Sequence, residues 1–214
     1  MREVAPKPQF ADHRQQSEVA ELGMWVFLST EVLFFGALFL LYSAYRFGYP
    51  AGFVEAARHT NIVIGVINTA VLLTSSFAVA WAIEVIKAEG GPAGATLLLA
   101  AALLGVVFLG LKGVEYLEEY HEHLVPGVNF EFSGAYANSV ELFFVFYFAS
   151  TGLHAIHLLI GIAALLVLAR RAERGDFFSE YASPAIVTGL YWHFVDLIWI
   201  FLFALIYLPG RSSL

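Results

Sequence analysis

Residues 22–45 read LGMWVFLSTEVLFFGALFLLYSAY, a run whose sole charged side chain is Glu31. A hydrocarbon core about 30 Å thick takes roughly 20 apolar residues of helix to cross. Lipid offers nothing to hydrogen-bond a bare backbone, so a single apolar run of this length predicts a transmembrane α-helix. Four further runs have the same character, at about 62–86, 95–117, 140–169 and 186–208. The chain is therefore expected to be all-α, an integral membrane bundle of five transmembrane helices. Residues 1–21 form an N-terminal segment, 22–208 the membrane domain and 209–214 a short tail. Breakers fall between the spans: Arg46-Phe47-Gly48-Tyr49-Pro50, Glu89-Gly90-Gly91-Pro92, Pro126-Gly127 and Ser183-Pro184. No linker is long enough to be a second folded domain.

Composition agrees. Hydrophobic residues are 59% of the chain and charged residues 14%, against about 45–50% and 25% in soluble domains, too little polar surface to coat a water-soluble globule. The absence of cysteine removes disulfides, thiolate metal ligands, thioether-linked haem and a cysteine nucleophile. A net charge of −7 gives no basic patch for nucleic acid. The first twenty-one residues contain no apolar run, so the first span is expected to direct its own insertion without a cleavable signal peptide.

Lysine and arginine set the expected direction. Arg2, Lys7, Arg14, Lys87, Arg170, Arg171 and Arg174 would share one side, against Arg46, Arg58 and Arg211 on the other. The positive-inside rule then places the N-terminus in the cytoplasm and the C-terminus outside.

Ionisable groups at membrane depth are the candidate functional residues, because each costs at least about 2.5–3.5 kcal/mol to insert. At 1.5 Å per residue, Glu31, His157, His193 and Asp196 lie at depths of roughly 10–18 Å. His154 and His157 are spaced three apart, as are His193 and Asp196, so each pair shares a helix face. Faces turned inward would gather Glu31, His154, His157, His193 and Asp196 into one polar cluster. Such a cluster fits structural hydrogen bonding between helices, a proton-conducting or proton-buffering set, or a haem or metal site. Against the last, the two histidines stand side by side on one helix, and the repeated Glu-x-x-His of bundle metal enzymes is missing.

A second group follows the third span: Glu115, Glu118, Glu119 and Glu122, with His121 and His123. These spacings fit a divalent metal or, as the simpler reading, a solvated acidic face turned to a basic partner. Lys112 stands one turn from Glu115 and can pair with it. No catalytic residue and no metal ligand set is assigned to the chain.

The order of motifs resembles subunit III of the haem–copper oxidases: Ser29-Thr30-Glu31-Val32-Leu33-Phe34-Phe35, Asn68-Thr69-Ala70-Val71-Leu72-Leu73, Glu115-Tyr116, Ser150-Thr151-Gly152-Leu153-His154-Ala155-Ile156-His157 and Tyr191-Trp192-His193-Phe194-Val195-Asp196. The resemblance runs from about residue 22 to 207, one motif per span. It implies an accessory subunit without haem or copper of its own in a proton-pumping complex that reduces O₂ to water. It further implies oxidase subunits I and II as partners, haem and copper held there, bound phospholipid, and cytochrome c or quinol as electron donor. The bacterial cytoplasmic membrane is the implied location. Glu31 matches the family's buried carboxylate, and His154, His157, His193 and Asp196 match its interior polar set. Many members have seven spans, the first two forming a lipid cleft, and this chain has five. Ile83-Glu84 stands where relatives often carry histidines. Two other readings compete: an accessory subunit of a nitric oxide reductase, and an independent proton-coupled membrane enzyme or transporter.

Overall fold

The computed structural model describes residues 8–89, 92–175 and 183–211. Its helices are α1 (His13–Gly48), α2 (Pro50–His59), α3 (Ile62–Glu89), α4 (Pro92–His121), α5 (Ala137–Glu173) and α6 (Ser183–Ile206), closed by a 3₁₀ turn at Pro209–Arg211. No strand occurs among the described residues, and five helices, all but α2, are long and apolar enough to cross a membrane. Arg2, Lys7, Gly90, Gly91 and residues 212–214, used above for orientation, breakers and tail, lie outside the described residues.

The helices run longer than the apolar stretches inside them. α1 begins at His13 because Asp12 caps it: the Asp12 carboxylate accepts from the Gln15 backbone N–H at 2.7 Å, and the Gln15 side chain accepts from Ala11 N–H at 2.8 Å. Asp12 is thus an N-cap residue, with Gln15 reaching back to the residue before it, and the first turns are polar, carrying the exposed Arg14–Glu18 pair. α2 is an additional element in the first link. Pro50 opens it, where a missing N–H costs nothing, and Gly52, Phe53, Ala56 and Ala57 form its buried face.

α3, α4, α5 and α6 pack in a closed ring, α3 on α4, α4 on α5, α5 on α6 and α6 back on α3, while α1 lies outside along α6. The buried side chains of α1 are Leu28, Phe35 and Tyr42, spaced by seven, so one narrow stripe faces the bundle. Leu33, Leu40 and Phe47 point away from it, which in a bilayer means toward lipid or another subunit. Tyr42 ties the two helices by donating to the Leu205 carbonyl at 2.6 Å, one of the carbonyls a helix C-terminus leaves without a partner.

At the centre, Trp192 is fully buried between glycines of two neighbouring helices. A Cβ at Gly105 would meet Trp192 Cη2 at 2.9 Å, and one at Gly161 would meet Trp192 Cε3 at 2.9 Å. The indole thus occupies space that any side chain on α4 or α5 would take.

The expected tail is partly built into the fold. Pro209 is buried, and Arg211 Nη2 donates to the Thr60 carbonyl at 3.0 Å. A Cβ at Gly210 would lie 2.6 Å from the Ala57 backbone, so the turn can close on α2 only with glycine there.

Candidate functional site

The ionisable residues of the spans separate into three groups, not one cluster. In the first, α1 brings Glu31 to His157 of α5, Oε2 to Nε2 at 3.2 Å. His157 Nδ1 lies 2.9 Å from the Leu153 carbonyl, which can only accept, so Nδ1 carries a hydrogen. A neutral His157 then offers Nε2 as an acceptor, and its bond to Glu31 needs a proton between them. The pair therefore shares one proton, as carboxylic acid with imidazole or as carboxylate with imidazolium. Tyr191 of α6 donates to the His157 carbonyl at 2.9 Å, and Phe35 stands edge-on to the His157 ring at 5.3 Å. The side chains of Glu31 and His157 remain 18% and 16% exposed, so this pair opens at the surface of the chain inside the membrane.

The second group joins α6 to α3. His193 Nδ1 and Ser76 Oγ are 2.6 Å apart. His193 thus bonds Ser76 where the sequence pattern suggested Asp196, one helical turn away. Asp196 is buried with neither oxygen in a close hydrogen bond. His154 stays apart from both groups. It is buried with both ring nitrogens unpartnered, between Phe108 at 5.6 Å and Trp199 at 5.4 Å. Trp199 in turn donates to Thr69 Oγ1 at 3.0 Å. His154 and His157 therefore serve different surroundings despite their shared helix.

The third group corrects the picture of a solvated acidic face. Glu118 and Glu122 are exposed, but Glu115 and Glu119 are 1% and 2% exposed and face the bundle with Lys112. The spacing explains it: 112, 115 and 119 fall on one stripe of a 3.6-residue helix, and 118 and 122 on the next. Lys112 Nζ donates to Glu115 Oε2 at 2.9 Å, Tyr147 Oη at 2.7 Å and Tyr207 Oη at 2.7 Å. An ammonium has three hydrogens, and all are used. Tyr207 passes its own hydrogen to Glu115 Oε2 at 2.8 Å. α4 supplies the charges, α5 supplies Tyr147, and the residue following α6 supplies Tyr207.

Sequence reasoning found the Lys112–Glu115 pair and missed the burial of Glu119 and the two tyrosines. A lysine within an apolar run, followed at i+3 and i+7 by carboxylates, was the available signal. The tyrosines come from remote segments and had none. Among the described residues no three His, Cys, Asp or Glu side chains converge to hold a metal.

Five long apolar helices with ionisable side chains buried between them define a multi-pass α-helical membrane protein. The model of the family described as cytochrome c oxidase subunit III matches residues 3–211, and the chain belongs to that family. It is 34% identical to cytochrome c oxidase subunit 3 of Corynebacterium diphtheriae, covering 94% of this chain and 93% of the relative. It is 31% identical to cytochrome c oxidase subunit 3 of Marchantia polymorpha over 89% of this chain and 68% of that longer protein. A Staphylococcus saprophyticus protein named "Probable quinol oxidase subunit 3" is 29% identical over 91% of both chains.

Proposed function

We propose that this chain is the accessory subunit III of a haem–copper terminal oxidase, packing on the catalytic subunit I, with subunit II alongside. The haem and copper of O₂ reduction would sit in those partners. The family match over residues 3–211 carries this reading. Within the bundle, the Lys112–Glu115 pair is engaged by tyrosines of two other segments, Tyr147 and Tyr207, which fixes α4 against α5 and the end of α6. The family resemblance supports a bacterial cytoplasmic membrane as the location, and the arginines and lysines at the ends of the spans support an N-terminus on the inside.

Within such a complex, Glu31 and His157 are the residues we assign to proton uptake. They hold one proton between them at a place the chain leaves partly open, where a partner helix or lipid would cover it. Their role is support of the rate and durability of proton uptake, the chemistry that a carboxylate and an imidazole can supply at membrane depth. Phospholipid is the second expected ligand. Clefts of about 330 and 320 Å³ flank Arg171 where α5 ends and α6 begins, and Ala163, Ala164 and Val167 give one of them a wall of small apolar side chains. An acyl chain against that wall with an anionic headgroup at Arg171 suits this chemistry.

The test is gentle purification of the tagged chain from its native membrane, with identification of what accompanies it. Subunits I and II, a-type haem and O₂ uptake are expected, with cytochrome c or quinol separated as donors by direct assay. A lone colourless protein, or one accompanied by nitric oxide reductase subunits, would overturn the proposal.

A further inference from the structure

The group formed by Lys112, Glu115 and Glu119 places two carboxylates and one ammonium in a dry region, with all three side chains nearly inaccessible. Counted as fully ionised, the group carries one uncompensated negative charge. A buried unpaired carboxylate is costly enough that such groups take up a proton instead. Hydrogen bonding decides which carboxylate does so. Glu115 Oε2 accepts from both Lys112 and Tyr207, at 2.9 and 2.8 Å, which holds Glu115 as the anion. Glu119 receives no such bond, and both of its oxygens are buried and without a close partner. Tyr147, already an acceptor from Lys112, joins the same group from α5.

We propose that the Lys112–Glu115–Glu119 group is a proton-binding site that holds one proton on Glu119 and exchanges it with the water at the end of α4. The groups facing Glu119 are Lys112, Glu115 and Tyr116 on α4, Glu122 just past its end, Tyr147 on α5 and Tyr207 after α6. The way out is short. α4 ends at His121, and Glu122 just beyond it is exposed and 3.9 Å from His59, the last residue of α2. Release of the proton leaves Glu119 as carboxylate and delivers the proton to Glu122, His59 or water, with no other bond changed. The site is separate from Glu31 and His157, and it works from this chain's own side chains whatever the electron donor.

Infrared spectroscopy of the purified complex tests it, through the carbonyl stretch of neutral carboxylic acids, recorded against pH and in D₂O. The wild-type complex should show a neutral-carboxyl band that shifts in D₂O and titrates as one proton. Glu119→Gln should assemble normally, since glutamine has the shape and neutrality of the protonated acid, and should lose that band completely. Glu31→Gln and Asp196→Asn should keep it. A band retained in Glu119→Gln, a failure of that variant to assemble, or a band that is lost in the variant yet never exchanges in D₂O would each overturn the proposal.

Discussion

Tyr207 and Glu115 are hydrogen-bonded at 2.8 Å although 92 residues separate them in the chain. The bond fastens the far end of α6 to α4, and it also supplies Glu115 with its second donor beside Lys112. Loss of one partner should therefore be felt in proportion to what is left unpaired. Tyr207→Phe removes one donor to a carboxylate and should cost about 1–3 kcal/mol. Lys112→Met leaves Glu115 buried without its cation and should cost more, about 3–5 kcal/mol. Thermal dissociation of the purified complex measures both, and a Lys112→Met complex as heat-resistant as Tyr207→Phe would contradict the ranking.

Glu31→Gln tests the shared proton differently. The amide keeps a hydrogen bond to His157 but cannot give up a proton, so structure is preserved and proton exchange is not. The variant should assemble and retain substantial O₂ reduction, with a loss of rate or a shorter active life during continuous turnover. An oxygen-electrode trace followed to inactivation reports both quantities. Complete loss of activity in a correctly assembled complex would remove the supporting role assigned to this pair.

The slot around Trp192 should be the least forgiving part of the membrane interior. A side chain at Gly105 or Gly161 collides with a ring that is itself fully buried, and overpacking of this kind costs about 1–3 kcal/mol. Gly105→Val and Gly161→Val should both lower the yield of folded protein in detergent, while Gly110→Ala, with nothing within 4 Å of its added Cβ, should not. Size-exclusion profiles compared at equal expression would reveal any variant that departs from this order.

What the sequence disclosed and what it concealed follow from the reach of each interaction. The five apolar runs are local features, and each led to a long helix. The Asp12 cap and α2 are also local, but their segments are polar or short and lack the length that marks a span. Depth along an axis placed Glu31, His157, His193 and Asp196 in one layer. It could not tell which of them touch, because that depends on how each helix is rotated about its own axis. Thus His157 meets Glu31, while His193 meets Ser76, a pairing between helices that no spacing along the chain could name. The same rotation buries Glu119 and exposes Glu118, and one residue of difference on a helix reverses their surroundings.

The Ser76–His193 contact offers the most direct check of that rotation. At 2.6 Å it is the hydrogen bond between α3 and α6 at this depth, and Asp196 next to it has no close hydrogen bond of its own. If His193 is held by Ser76, then Ser76→Ala and His193→Ala each lose the same bond, and the double variant should cost less than the two single losses added. The coupling should be modest, about 0.6 kcal/mol and at most about 1.7 kcal/mol, the range for hydrogen bonds between membrane helices. Were His193 instead paired with Asp196, the cycle with Asp196→Asn would carry the coupling and the Ser76 cycle would be additive. Unfolding of the four proteins in mixed micelles distinguishes the two patterns, because only one cycle can close with a non-zero interaction if the helices are oriented as found.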